Sequence, residues 1–365
     1  MRVLVVNAGS SSLKLSLLGA GDAIEQSAEL TAGPDGIDTA ALAGALRHWA
    51  RPDAAGHRVV HGGTAFTGPV LIDGAVREQL QELTDLAPLH QPKSLAALDA
   101  VTALLPGVPA VASFDTAFHA TIPAAAATYA VPREWRQRYA IRRYGFHGLS
   151  HAYCSRRAAE LLGRPLAGLR IITCHLGAGA SLAAVLDGRS VDTTMGFTPL
   201  EGLVMATRSG TVDPGLVLWL EEHEHLAPHE VATALEQHSG LLALAGTPDM
   251  REVQAAADRG DLDARLAIGV YIHRLAGGVA AMSAAAGGVD VLAFTGGVGE
   301  HSAAVRARAA GRLAFLGVAI DARRNDAVRG DGDVSADGAS ARTLVIAARE
   351  DLQIAREVRQ LLSAP

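Results

Sequence analysis

Two segments of this chain, "VVNAGSSSLKLSL" (residues 5–17) and "TCHLGAGASLAAVL" (173–186), follow one plan. Each is an apolar strand ending in a polar residue, then a run of Gly, Ala and Ser, then an alternating strand. Copies about 170 residues apart mark a duplicated unit, and so two domains that each open on a strand–turn–strand hairpin. The small residues let the backbone turn sharply, and they let another group approach its N–H groups. A tight turn and a phosphate cradle are both open readings of either copy alone.

A third small run, "FTGGVGEHS" (294–302), follows the apolar run Val289–Phe294 and precedes a helical pattern. Neither G-x-x-x-x-G-K-[ST] nor G-x-G-x-x-G occurs, which removes the P-loop and dinucleotide readings. Phosphates, if bound, are then held by paired hairpins and a helix start, the arrangement of the actin and sugar-kinase superfamily.

The rest of the chain alternates strand and helix patterns, which indicates an α/β fold. Strands are expected at Val3–Val6, Leu13–Leu18, Arg58–His61, Val108–Ser113, Arg170–Cys174, Leu182–Leu186, Val289–Phe294 and Leu344–Ala347. Helices are expected at Lys93–Leu105, Leu149–Leu162, Gly215–His225, Leu262–Ala286, Ala303–Leu313 and Asp351–Leu362, with 329–340 a surface loop or hairpin. With 365 residues, 49% hydrophobic and 19% charged, the chain has the composition of a soluble globular protein of two domains. A net charge of −6 with no basic stripe argues against a nucleic-acid partner. Two cysteines, Cys154 and Cys174, form no disulfide framework and point to a reducing compartment. The N-terminus carries no signal-peptide pattern, and the uncharged stretch 275–289 is too short and Gly-rich to span a bilayer. A cytoplasmic protein with no membrane partner is expected.

The sequence resembles acetate kinases, the acetokinase family, in order and over nearly its full length. The strings that carry the resemblance are "NAGSSSLK" (7–14), "HRVVHGG" (57–63), "LAPLHQPKS" (86–94), "FDTAFH" (114–119), "RRYGFHGLSH" (142–151), "HLGAGAS" (175–181), "GFTPLEGLVMATRSGTVDP" (196–214), "DMR" (249–251), "TGGVGE" (295–300) and "ARED" (348–351). The resemblance implies two duplicated actin/sugar-kinase-like, ribonuclease H-like domains with an active-site cleft between them. The first would span 1–117, completed by a C-terminal helix over about 352–365; the second, 118–351, would carry the nucleotide site and a dimer interface. The implied reaction is ATP + acetate = ADP + acetyl phosphate, with Mg²⁺ or a substituting Mn²⁺, in a homodimer.

Such a reaction sets one anion against another, so it needs cations at the transfer point more than a base: a small carboxylic acid is already ionised at neutral pH. Arg58 and Arg208 match the family arginines and have the planar forks for this task. His147 matches the histidine that donates to the transition state, although a packed core histidine is the ordinary reading of that residue alone. His90 and His175 are weaker candidates that could orient neighbours. His147 and His151 have helical i, i+4 spacing, but no further ligand completes a metal set. Asn7, Asp115 and Glu350 are the implied oxygen groups around Mg²⁺, with Asp115 given a metal-water or electrostatic role rather than that of a base. Ser10, Ser12 and Lys14 would contact phosphates or brace the first hairpin; the alternative for Lys14 is the solvent side of an edge strand. The implied nucleotide contacts are His175, Leu176, Gly177, Ala178 and Gly179; Asp249, Met250 and Arg251; and Gly297, Val298, Gly299, Glu300 and His301. Val60, Leu89, Phe146 and Pro199 would line a small apolar acyl pocket.

The chain departs from the family pattern at Ala178, in place of an Asn, at Thr64 and His301, and at the residues flanking Glu350, Arg349 and Asp351. These departures bear on nucleotide affinity or donor identity. A propionate or other short-chain acyl kinase, a kinase with another donor, and a non-catalytic nucleotide-binding relative therefore remain alternatives.

Overall fold

The computed structural model describes residues 1–9, 12–31, 38–88 and 91–363. By contacts the chain divides into two compact units: Met1–Ala120 with Phe146–Tyr153 and Arg349–Pro365, and Thr121–Gly145 with Cys154–Ala348. Phe146–Tyr153, which chain order alone sets past the first domain, thus belongs to the first unit.

The first unit holds β1 (Val3–Ala8), β2 (Ser12–Leu18), β3 (Ile24–Thr31), β4 (Ala54–Val59), β5 (Val70–Leu71) and β6 (Ala110–Phe114), in the order β3-β2-β1-β4-β6-β5. The second holds β7 (Arg170–Leu176), β8 (Ala180–Leu186), β9 (Arg189–Thr193), β10 (Val291–Thr295), β11 (Gly332–Asp333) and β12 (Arg342–Val345), in the order β11-β12-β10-β7-β8-β9. These are one topology twice: an antiparallel meander of three strands, two parallel strands, and a short antiparallel edge. The duplication read from the two hairpins therefore extends through both sheets.

The hairpins differ in one respect. In the first, Ala8 opposes Leu13 and the Gly9 N–H donates to the Ser12 carbonyl at 2.8 Å. In the second, Leu176 opposes Ala180 and the Gly177 N–H donates to the Gly179 carbonyl at 2.9 Å, so the turn is shorter by one residue. Asn7 consequently faces Lys14 across its ladder, and His175 faces Ser181. Lys14 lies on an internal strand, because β3 covers β2; the edge-strand alternative does not hold.

Strand β4 is Ala54–Val59, not Arg58–His61. Its sequence, AAGHRV, lacks the β-branched density by which a strand is recognised, but its small residues let a helix lie close. Val3, Val5 and Val111 pack on Ile354, Ala355 and Val358 of the helix Glu350–Leu362, while Leu4, Val6 and Ala55 pack on Ala97 and Val101 of the helix Gln91–Leu104. A Cβ at Gly56 would stand 2.6 Å from Ile354 Cγ2 and 2.7 Å from Val358 Cγ2. Gly56→Ala is expected to destabilise the chain by about 1–3 kcal/mol through this overpacking, measurable as a lower urea midpoint. The strands β3 and β9 and both short edges carry no signal strong enough to be read in advance.

The expected helices occur within a residue or two at each end, among them Gly148–Leu161, Pro214–His223 and Ala303–Arg312. Leu262–Ala285 is long and apolar enough to cross a membrane. Its buried residues Ala264, Ala267, Ile268, Tyr271, Ile272, Leu275, Val279 and Met282 instead follow a helical stripe, and the helix packs on β7, β8 and β9. That is a core helix of the second unit.

Candidate active site

In the first unit, four sequence-predicted residues form one hydrogen-bonded chain. They come from the ends of β1, β4 and β6 and from the first turn of the helix Glu350–Leu362. The Arg58 guanidinium grips the buried Asp115 carboxylate, Nη2 to Oδ2 at 2.6 Å and Nε to both oxygens at 3.1 and 3.2 Å. Its Nη1 donates to Asn7 Oδ1 at 3.2 Å, and Asn7 Nδ2 donates to Glu350 Oε2 at 3.0 Å. Parallel pairing accounts for the convergence: β4 lies between β1 and β6, so side chains at matched register positions share a face.

The electrostatics follow from burial and proximity. Desolvation opposes the charge on Arg58, but the Asp115 and Glu350 carboxylates outweigh it and hold the guanidinium above its ordinary value. Burial raises the Asp115 carboxyl above the usual carboxylate range, against the pull of Arg58. Asn7, Asp115 and Glu350 together offer hard oxygen donors of the kind Mg²⁺ or Mn²⁺ takes. Mg²⁺ needs only one or two carboxylates beside waters and phosphate oxygens, so this donor set fits it. Arg349 and Asp351, the departures that flank Glu350, pair with each other at 2.8 and 2.9 Å and leave the Glu350–Asn7 contact intact.

His147 stands at the start of the helix Gly148–Leu161 with φ +56°, in the left-handed region. The Gly148 N–H donates to the Asp115 carbonyl at 2.8 Å, and a Cβ at Gly148 would lie 2.2 Å from that oxygen. Only glycine lets the His147 turn come this close to the end of β6. Phe146 is buried and meets the His61 ring edge-on at 5.5 Å; Val60 is also buried. Ser12 Oγ donates to Glu29 Oε1 at 2.7 Å, and Lys14 Nζ lies 3.9 Å from the same oxygen. Glu29 was not anticipated, because β3 itself was not. Ser10, Leu89 and His90 lie outside the described residues.

The second unit holds Arg208 and the predicted nucleotide segments. Arg208 Nη1 donates to the Pro199 carbonyl at 3.2 Å, which brings together one predicted catalytic and one predicted pocket residue. Burial lowers the Arg208 guanidinium from its ordinary value, with Glu236 opposing. The loop that bears it is tied to the second hairpin, since the Ala206 N–H donates to the Ala178 carbonyl at 3.0 Å. Ala178 is exposed at the hairpin tip between the half-buried Gly177 and Gly179, while Leu176 is buried in the strand and His175 is half-buried. The short helix Gly296–His301 packs against the end of β7: a Cβ at Gly296, φ +78°, would meet the Leu176 carbonyl at 2.8 Å, whereas one at Gly297 would meet nothing within 4 Å. Val298 and Glu300 are half-buried, Gly299 is buried and His301 is exposed. Asp249 caps the helix Met250–Asp258 and accepts from the Arg251 N–H at 2.8 Å; its Arg251 partner lowers its carboxyl to about 2. Met250 is buried, so of this triplet its side chain serves the core.

One residue of consequence was missed. Arg306 is 2% exposed and donates to the carbonyls of Gly299 at 2.9 Å and Glu300 at 2.7 Å, and to Asn325 Oδ1 at 2.7 Å. It fastens the turn after β10 from behind. The sequence marks Ala303–Leu313 as a helix, and nothing in the spacing of "AAVRARAAGR" marks which arginine points inward. Glu300 Oε1 also accepts from the Ala348 N–H at 2.9 Å, a structural bond that adds to its predicted nucleotide role. Among the described residues no group of three or more His, Cys, Asp or Glu side chains is arranged to hold a metal ion.

Comparison with known proteins places the chain in a family. Residues 45–356 match the sequence model of the Acetokinase family. The chain is 45% identical to the acetate kinase of Deinococcus deserti, over 100% of this chain and 98% of that one. It superposes on the crystal structure of Porphyromonas gingivalis acetate kinase with a TM-score of 0.90 and 36% identity, over 99% and 100% of the two chains. A propionate kinase from Francisella tularensis superposes with a TM-score of 0.90 and 37% identity, over 98% of both chains. The duplicated sheets and these likenesses converge: the chain belongs to the acetokinase family of kinases.

Proposed function

We propose that this chain transfers the terminal phosphoryl group of ATP to acetate, giving ADP and acetyl phosphate. The observation that carries the reading is the hydrogen-bonded chain Glu350–Asn7–Arg58–Asp115 beside the strained His147 turn. A fold needs no such set of linked polar groups at its strand ends, whereas in-line transfer between two anions does.

In this mechanism the acetate carboxylate attacks the phosphorus directly, without a general base. Arg58 and Arg208 neutralise the equatorial oxygens and orient the carboxylate, and His147 donates a hydrogen bond to the transferring group. Asp115 holds Arg58 in line. Mg²⁺ held by Glu350 and Asn7, with Asp115 near, would supply charge neutralisation on the phosphates. Ser12 and Lys14 of the first hairpin, Gly177–Gly179 of the second, Asp249–Arg251 and Gly297–His301 bind nucleotide. The exposed Leu216, Leu218, Trp219, Leu262 and Leu266 supply apolar surface for a homodimer, and the protein works in the cytoplasm.

A second reading, a propionate kinase, is favoured by the likeness to the propionate kinase structure. One methylene is worth about 1–3 kcal/mol, so an apolar acyl site separates the two acids only moderately. The test is to incubate the protein with Mg²⁺, acetate or propionate, and ATP or another phosphoryl donor, and to trap acyl phosphate with hydroxylamine. Acetyl hydroxamate from ATP is the expected product. A propionate preference would change the substrate alone, and no hydroxamate from any combination would sink the kinase reading.

A further inference from the structure

His119 closes the string "FDTAFH". It sits on the short turn Ala117–Thr121 that follows β6, the strand leading into Asp115, and it is fully buried. Its Nε2 lies 3.0 Å from the carbonyl oxygen of Phe146, the residue before His147. A carbonyl only accepts, so this ring carries its proton on Nε2. Burial lowers the ring to about 4, with the Phe146 carbonyl opposing, so the ring is neutral at working pH. The same ring meets His151, one helical turn beyond His147, at 5.6 Å between centroids.

The backbone explains why such a hold is needed. His147 has φ +56°, a conformation that costs an ordinary residue on the order of 1–3 kcal/mol and persists only where its surroundings impose it. Two hydrogen bonds bracket the strained residue. The His119 Nε2–H fixes the carbonyl on its N-terminal side, and the Asp115 carbonyl fixes the Gly148 N–H on its C-terminal side. Both anchors lie in the Asp115–Thr121 stretch, so the His147 imidazole is referenced to the same strand end that holds Arg58.

We propose that His119 is a positioning residue for phosphoryl transfer: through its Nε2–H bond to Phe146 it sets the left-handed backbone from which His147 reaches the reacting group. This rests on the reading of His147 as a transition-state donor. A misplacement of about 1 Å at such a donor can cost 10²-fold in rate.

The test compares His147→Ala, His119→Leu and His119→Gln in the hydroxamate assay. Gln places an amide N–H near the imidazole Nε2 position, and Leu does not. His119→Leu is expected to lower kcat by on the order of 10- to 100-fold with the KM for ATP little changed, and His119→Gln to recover most of that loss. Wild-type kcat in His119→Leu, or equal losses in both His119 variants, would overturn the proposal. Activity retained in His147→Ala would instead defeat the reading of His147 as a transition-state donor, so the two failures are separable. Should His119→Leu not fold, long-range ¹H–¹⁵N spectra of wild type against His119→Gln decide the matter. An Nε2–H signal that persists from pH 8 to 5 supports the proposal, and an Nδ1–H tautomer ends it.

Discussion

Arg58→Ala is expected to reduce turnover by on the order of 10³–10⁵, the scale of removing an arginine from a phosphoryl-transfer site. The loss has two parts that separate experimentally. The first is the missing cation at the transferring group, which appears in kcat. The second is Asp115, left 1% exposed without its partner. Breaking a buried pair from one side costs about 3–5 kcal/mol, so the variant should also unfold at lower urea. Arg58→Lys restores charge but cannot make the three contacts with Asp115 while reaching Asn7, so it should recover stability better than rate. Asp115→Asn tests the electrostatic role given to Asp115. Activity should stay low at every pH, and activity restored at a shifted pH would mean that Asp115 acts as a base. Steady-state kinetics and urea midpoints on the same preparations check all three.

The second large effect is acid sensitivity. Burial lowers His57, His61 and His119 in the first unit from the ordinary 6.5 to about 4 each, with Asp99 partly opposing at His57 and the Phe146 carbonyl at His119. All three are neutral in the folded chain, and each takes up a proton on unfolding below pH 6.5. Their contribution to stability is therefore complete above pH 6.5, is lost as pH falls from 6.5 to 4, and changes no further below 4. Each drop corresponds to about 3 kcal/mol, and near pH 5 three protons give a slope of about 4 kcal/mol per pH unit. Urea midpoints should fall steeply between pH 6.5 and 4.5. His57 offers the control, since neither of its ring nitrogens has a hydrogen-bond partner among the described residues. His57→Leu should leave stability at pH 7.5 nearly unchanged and remove about one proton from the slope. An unaltered slope in that variant would refute the assignment.

The two hairpins announced the duplication, because a small-residue turn between strands is a local feature carried by adjacent residues. Helix ends were readable for the same reason, through Gly and Pro stops and apolar periodicity. Strand β4 was misplaced because Ala54, Ala55 and Gly56 carry no strand signal of their own. They are a strand because β1 and β6 pair on either side, and because Ile354 and Val358, some 300 residues away, leave room only for glycine. The inward turn of Arg306 was hidden likewise, since its partners Asn325, Gly299 and Glu300 meet only in the folded unit.

By itself the sequence determined the fold class and the family, since these are written in short strings and their order. Tertiary structure alone decided that Glu350 reaches Asn7, that Arg58 is shared between Asp115 and Asn7, and that Phe146–Tyr153 belongs with the first unit. It also placed His119 behind His147. The physical reason is common to all of these: each is a contact between residues far apart in the chain, set by sheet register and helix packing rather than by local preference.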